Sequence, residues 1–446
     1  MQISTSTSTS TPQKTASSGS IFPGGQTSSF VLVTLLFFIW GMSNNLTDIL
    51  VQQFRKGFEL SQLQAQLVQT ANFFGYFLVA IPAARFMRRF GYKAGIMLGL
   101  GLFALGTLLF WPAAIIGRYT PFLVALFLVG AGAATLETAG NPLIAEFGSP
   151  ETAERRLNFA QSFNPPGTVS GVLIGTYFIF SGVELSANRI AEMKIAGTYS
   201  AYIHNEIMRV VPTYVGLGFA VLLCAALIAR AHFPEFATRR TTAGESNRIS
   251  DLFRFRHLWA AVLAQFFYVG AQVSTWSAFI PYMKQYTGAT ERTAGLYLIG
   301  NLIALGVGRI VSTPLMRWIK PVRMLGLYSI INIGLLGVGI LRPGWMGAYA
   351  ILFSSFFMSI MFPTIFALGI RGLGEHTKLG GSVVVMSIVG GAILPPLLGL
   401  IARQTGSLAL GYIVPAAAYI VVALYALARS SATLDHSQME FPTIAG

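Results

Sequence analysis

The sequence predicts an all-α membrane protein of about twelve transmembrane helices in two pseudo-symmetric six-helix bundles. Three observations lead there. Of the 446 residues, 54% are hydrophobic and only 10% charged, whereas a soluble domain carries about 25% charged residues. The mean hydropathy of +0.63 is concentrated in long runs near the ~20 residues needed to cross hydrocarbon. Third, the two halves of the chain repeat short motifs in register. Such a chain would aggregate in water, so lipid must cover its apolar surface.

Taken in order, residues 1–27 form a Ser/Thr-rich tail without hydrophobic period, expected to be disordered. The run that follows is too long for a signal-peptide core and lacks a clear cleavage site, so it reads as a retained first helix. Spans are expected near 28–54, 63–87, 94–115, 120–146, 157–181 and 210–231, together an N-terminal bundle over 28–231. A polar, basic linker over 232–256 separates them from a second bundle over 257–430. Its spans are expected near 257–284, 292–316, 323–341, 346–370, 378–402 and 409–429, with a C-terminal tail at 431–446.

Orientation follows from loop arginines and lysines, which resist translocation. With the N-terminus inside, the inner loops hold Arg85, Arg88, Arg89, Lys93, Arg155, Arg156, the linker arginines, Arg317, Lys320 and Arg323. The opposite loops are poorer, and an even number of spans puts both termini in the cytoplasm. Because the positive charge (net +14) is spread over loops and forms no patch interleaved with aromatics, nucleic acid is not an expected partner. The single cysteine, Cys224, lies in an apolar run and builds neither a disulfide framework nor a cysteine metal site.

The repeat has an offset of 229 to 230 residues: FFIWG at 37–41 matches FFYVG at 266–270, Phe86-Met87-Arg88 matches Leu315-Met316-Arg317, and Pro165-Pro166 matches Pro395-Pro396. Three matches in helices of the same rank point to a duplicated six-helix unit.

Of the sixteen acidic residues, only Asp48 and Glu137 fall well inside spans; the others, Glu154 and Glu206 among them, are expected in loops, at span ends or in the tail. A carboxylate inside a membrane costs a few kcal/mol unless paired, hydrated or protonated, so it normally faces a cavity. Because burial favours the uncharged form, such a group can load and release a proton. The alternative is a neutral acid that bridges two helices. Around these residues lie amides: Asn44 and Asn45 beside Asp48, Asn141 four residues after Glu137, and Asn158, Gln161 and Asn164 at i, i+3, i+6 on the fifth span. Paired donors and acceptors suit a hydroxylated solute, although interhelical hydrogen bonding would also use them. The seventh span aligns Gln265, Tyr268, Gln272 and Trp276. An aromatic beside amides is a platform for the C–H face of a sugar, while a membrane-interface role for Trp276 is the alternative. The Gly/Pro interruptions, such as Asn164-Pro165-Pro166-Gly167, read first as close-packing sites and second as hinges. No Walker loop, H-E-x-x-H or G-x-S-x-G occurs, and the five histidines form no cluster, so neither enzyme chemistry nor a cofactor is expected. The residues point to a gradient-driven transporter of a polar solute.

The runs FFIWGMSNNLTDILVQQF (37–54), GYFLVAIPA (75–83), LFWPAA (109–114), LETAGNP (136–142), RLNFAQSFN (156–164), AQFFYVGAQVSTWS (264–277), MSIMFPTIFALGI (358–370) and GAILPPLLG (391–399) resemble the fucose–galactose–glucose:proton symporter family of the major facilitator superfamily. The resemblance covers nearly the whole chain except the N-terminal tail and central linker. It implies the major facilitator fold and proton-coupled sugar uptake by alternating access in a bacterial inner membrane, with no cofactor beyond the proton gradient and no partner but sugar, proton and lipid; a monomer is expected. It implies proton coupling by Asp48 and Glu137 and places cavity amides at Asn45, Gln161 and Asn164. With the residues read from spacing, the expected substrate site comprises Asn45, Glu137, Asn141, Gln161, Asn164, Gln272, Trp276 and Phe362. LETAGNP favours the fucose-type branch, L-fucose or a closely related hexose or deoxyhexose; the alternatives are another sugar such as glucose or galactose, or proton-coupled export of small molecules. Two departures bear on specificity: Phe362 stands where that branch has tyrosine, and NPPG at 164–167 replaces NSFG.

Overall fold

The computed structural model describes residues 27–60, 67–179, 185, 187–238 and 249–439. The expected N-terminal tail, save residue 27, the middle of the linker and residues 440–446 lie outside these. The described chain is all helical, without a strand. In order, the first half holds α1 (Thr27–Gly57), α2 (Leu67–Phe90), α3 (Tyr92–Leu108), α4 (Phe110–Ile116), α5 (Tyr119–Glu146), α6 (Ala153–Gln161), α7 (Asn164–Ile174), α8 (Ala187–Ile195), α9 (Tyr199–Met208) and α10 (Val210–Arg230). The short α11 (Glu235–Thr238) lies between the halves. The second half holds α12 (Arg256–Ser277), α13 (Phe279–Thr287), α14 (Glu291–Leu315), α15 (Pro321–Leu341), α16 (Trp345–Met358), α17 (Met361–Ile370), α18 (Thr377–Met386), α19 (Gly390–Thr405), α20 (Leu408–Gly411) and α21 (Ile413–Met439).

Ten helical stretches among the described residues are long and apolar enough to span a membrane. The other two expected spans correspond to α2, whose last turns carry Arg85, Arg88 and Arg89, and to the interrupted α6–α7 run. Three elements are longer or extra relative to the sequence pattern. The last helix runs to Met439, past the expected boundary at 430, and α8 and α9 occupy a stretch expected to be loop. They dock on the end of α1 through Glu59, which accepts from Lys194 Nζ at 3.0 Å and Tyr199 Oη at 2.9 Å. The lysine first, then the tyrosine, holds the Glu59 carboxyl below its usual range.

Within each half, glycines set the closest crossings. A Cβ on Gly41 would run into the Asn164 carbonyl, and one on Gly270, its counterpart in the repeat, would meet the Gly390 carbonyl at 2.9 Å. The repeated motif, FFIWG in one half and FFYVG in the other, thus marks the same helix crossing in both, α1 on α7 and α12 on α19.

The halves meet mainly at one end, which carries many of the loop arginines and is called the basic end below. There α2 and α5 pack on α18, and α5 and α6 pack on α17. Arg371, after α17, pairs with Glu154 of α6. Lys378 Nζ donates to the Met87 carbonyl at 3.4 Å and lies 4.8 Å from the Tyr92 ring centroid. Deeper in, Asn158 Nδ2 donates to Thr364 Oγ1 at 3.2 Å. Glu154 lies in the first turn of α6, at a span end as expected, whereas Glu206 lies in α9, where a loop was expected. Glu154 and Glu206 are only 1% and 3% exposed, Glu154 because the second half closes over it and Glu206 because α9 turns it against Gln53 of α1.

Arg371 keeps the Glu154 charge paired, and removing one partner of a buried pair leaves the other charge uncompensated. Replacing Arg371 by alanine is expected to weaken the seam by about 1–3 kcal/mol. Spin labels on the exposed positions 89 and 375 should then report longer separations; an unchanged distance distribution would show that the pair does not hold the seam.

Candidate functional site

The site begins with Glu137, in the buried stretch of α5 that runs from Val129 to Ala145. Its side chain is 2% exposed. Asn141, one turn later, donates to Glu137 Oε1 through a long hydrogen bond of 3.4 Å, while Oε2 has no hydrogen-bond partner. The amide string continues, since Gln161 Nε2 donates to Asn141 Oδ1 at 3.0 Å. Three of the expected site residues are thereby joined: carboxyl, amide, amide. A carboxylate held this way would leave a buried charge with a single weak donor, which costs several kcal/mol. The arrangement suits a neutral acid, or a carboxyl whose open oxygen meets a hydroxyl of a solute.

Beside it, Trp40 Nε1 donates to Tyr76 Oη at 2.6 Å, and that tyrosine lies within electrostatic range of Glu137. Neither residue stands out in the sequence, because an aromatic in an apolar span looks like packing. Only the contact between α1 and α2 gives them a place at the site.

The expected amide stripe of the fifth span does not exist as one face. The helix is interrupted between Gln161 and Asn164, so the three amides turn to different partners. Asn158 reaches Thr364 of the second half, Gln161 reaches Asn141, and Asn164 Nδ2 donates to the Phe37 carbonyl of α1 at 3.3 Å. The i, i+3, i+6 reading assumed a continuous helix, which Pro165 and Pro166 prevent. Gly167 and Gly171 lie against the Phe38 and Met42 carbonyls of α1, so this interrupted segment is a packing surface.

On α1, Asn45 is half-buried and its amide donates to the Gly41 carbonyl one turn back, at 3.4 Å. Asp48 lies on the same helix, but its side chain is outside the described residues. In the second half, Gln272 is half-buried. Trp276 points inward: its Nε1 donates to Ser355 Oγ at 3.0 Å, and that hydroxyl donates to Asn301 Oδ1 at 2.9 Å. These bonds tie the Trp276 ring to α16 and α14. Phe362 is half-buried and stacks on Phe366, with centroids 6.5 Å apart. Gln265 is fully buried with neither amide atom hydrogen-bonded.

A further functional candidate, besides Trp40 and Tyr76, was absent from the sequence reading. Arg309 of α14 is 4% exposed, and it bonds to backbone of both halves, to the Ser359 carbonyl at 2.7 Å and the Gln161 carbonyl at 2.6 Å. The signal for it was available, since past Arg292 at its start it is the one base in the apolar run 292–316. Among the described residues, no group of three or more His, Cys, Asp or Glu is placed to hold a metal ion.

Residues 29–381 match the Major Facilitator Superfamily. The chain is 40% identical over 406 residues to the L-fucose-proton symporter of Escherichia coli K12, covering 90% of this chain and 93% of that one. It is 33% identical over 400 residues to a glucose/galactose transporter of Brucella abortus, covering 89% and 93% respectively. In three dimensions it is similar to the crystal structure of the transporter FucP in the outward conformation, with a TM-score of 0.82 at 39% identity over 90% of this chain and 98% of that one. A bacterial homologue of the iron transporter ferroportin in an outward-facing state gives a TM-score of 0.65 at 13% identity, a likeness of fold alone.

Proposed function

The chain belongs to the Major Facilitator Superfamily, in the group of the L-fucose-proton symporters and glucose/galactose transporters it resembles, and we propose that it is a proton-coupled sugar symporter. In this reading it imports L-fucose or a closely related hexose or deoxyhexose across a bacterial inner membrane by alternating access. The observation that carries it is the buried string from Glu137 through Asn141 to Gln161, with one carboxyl oxygen left unpartnered. A group with that geometry can hold a proton and offer an acceptor to a sugar hydroxyl.

The positive-inside rule makes the basic end cytoplasmic. The inter-half seam then closes the cytoplasmic side, which supports an outward-facing state. Sugar enters from outside to meet Glu137, Asn141 and Gln161 from the first half, with Asn45 and Asn164 of α1 and α7 nearby. From the second half come Gln272, the Trp276 ring and Phe362. Glu137 contacts both sugar and proton, and Asp48 governs the conformational step.

Uptake into vesicles tests the coupling. Asp48→Asn is expected to abolish gradient-driven accumulation of L-fucose while sparing sugar exchange, and full accumulation by that variant would remove Asp48 from the coupling step. Adding sugar to energy-depleted cells should alkalinise the medium; a sugar that enters with no proton movement refutes symport. Competition of labelled L-fucose by a sugar panel reads the effect of Phe362. A site lacking the tyrosine hydroxyl should tolerate loss or inversion of one sugar hydroxyl, because no fixed partner is left unpaired.

A further inference from the structure

Arg309 is a buried charge that the proposed sugar and proton groups leave unused. A guanidinium inside a membrane costs a few kcal/mol unless its donors are met. Two of its five N–H donors are met by backbone carbonyls, and both carbonyls are orphans for the same reason. In a continuous helix the carbonyl of residue 161 would accept from the N–H of residue 165, and that of 359 from residue 363. Residues 165 and 363 are both prolines and have no N–H. Arg309 supplies both missing donors, Nη1 to Gln161 O at 2.6 Å and Nε to Ser359 O at 2.7 Å. Its neighbour Gly308 permits the approach, because a Cβ there would meet Ser359 Oγ at 2.8 Å and would run into the Phe356 carbonyl.

The two carbonyls lie in different halves, Gln161 on the α6–α7 break and Ser359 on the α16–α17 break. Gln161 is also the residue whose side chain ends the string to Glu137. We infer that Arg309 is a positioning residue that fixes the α6–α7 break to the second half, so that a change at Gln161 is transmitted to the seam. This rests on the reading of Gln161 as a sugar contact. When sugar draws the Gln161 side chain away from Asn141, the same residue's carbonyl shifts relative to Arg309, and the inter-half bond responds. Lysine cannot reproduce the device, because one ammonium does not present two donors in a rigid fork.

The test uses the full-length transporter with spin labels at positions 89 and 375, with and without L-fucose, alongside uptake kinetics. Arg309→Lys is expected to lower the maximal uptake rate by about tenfold or more with KM within about threefold, and to shift the sugar-free label distances to longer values. Pro165→Ala restores the helical donor to Gln161 and removes the need for Arg309; it should shift the distances in the same direction with sugar still bound. Should the lysine variant fail to fold, Pro165→Ala decides alone. Wild-type distances and rates in these variants would overturn the role of Arg309, as would a loss confined to KM. A wild-type protein that responds to no sugar in the panel would instead overturn the sugar-symport reading.

Discussion

Glutamine at position 137 is expected to turn the transporter into an uncoupled exchanger. The substitution keeps the shape and the carbonyl that Asn141 donates to at 3.4 Å, but fixes the group in a form that cannot gain or lose a proton. A membrane potential of 100 mV is worth about 2.3 kcal/mol per proton, which at 1.4 kcal/mol per decade supports about fifty-fold accumulation for one proton per sugar. In vesicles with an imposed potential and pH gradient, Glu137→Gln should let this ratio fall to about one while counterflow of labelled against unlabelled L-fucose persists. Retained accumulation would exclude Glu137 as a coupling group. Loss of counterflow as well would show that the second carboxyl oxygen is needed for the sugar. The effect is large because Oε2 has no other hydrogen-bond partner to take over.

The second large effect concerns folding. Valine in place of Gly167 is expected to disrupt the first half, because a Cβ there would overlap the Phe38 carbonyl of α1. Backbone, unlike a flexible side chain, cannot move aside, so the two helices must separate. Overpacking of this kind costs about 1–3 kcal/mol or more, and the separation would also break the Asn164 to Phe37 hydrogen bond. Thermal unfolding in detergent should show a lowered midpoint and a loss of monodisperse protein. Gly101→Val is the control, since nothing lies within 4 Å of a Cβ at that position. Equal destabilisation by both would mean that the α1–α7 crossing is not the sensitive contact.

Glu137 was legible in the sequence because a carboxylate in an apolar run is costly wherever the helix faces, and its pairing with Asn141 was legible because both lie on one unbroken helix. Periodicity failed on the fifth span for a local reason. Two prolines delete backbone donors there, the helix restarts, and Asn158, Gln161 and Asn164 leave the common face that their spacing implied. The burial of Glu154 and Glu206 was not legible for a different reason: hydropathy measures the depth of a span and carries no information on what packs over its ends. Arg309 needed both halves. Its partners are carbonyls 148 and 50 residues away, and a proline announces a missing donor without saying who replaces it.

By itself the sequence determined that the chain is a helical membrane protein with a repeated motif and a carboxyl group inside the membrane, because composition, run length and the cost of charge in lipid are properties of the residues alone. Only the tertiary structure decided which amides meet that carboxyl, which end of the bundle is shut, and that one arginine satisfies the carbonyls two prolines leave open. Those outcomes depend on contacts between distant segments, where hydrogen-bond geometry and glycine-sized gaps select among partners that local sequence leaves equivalent.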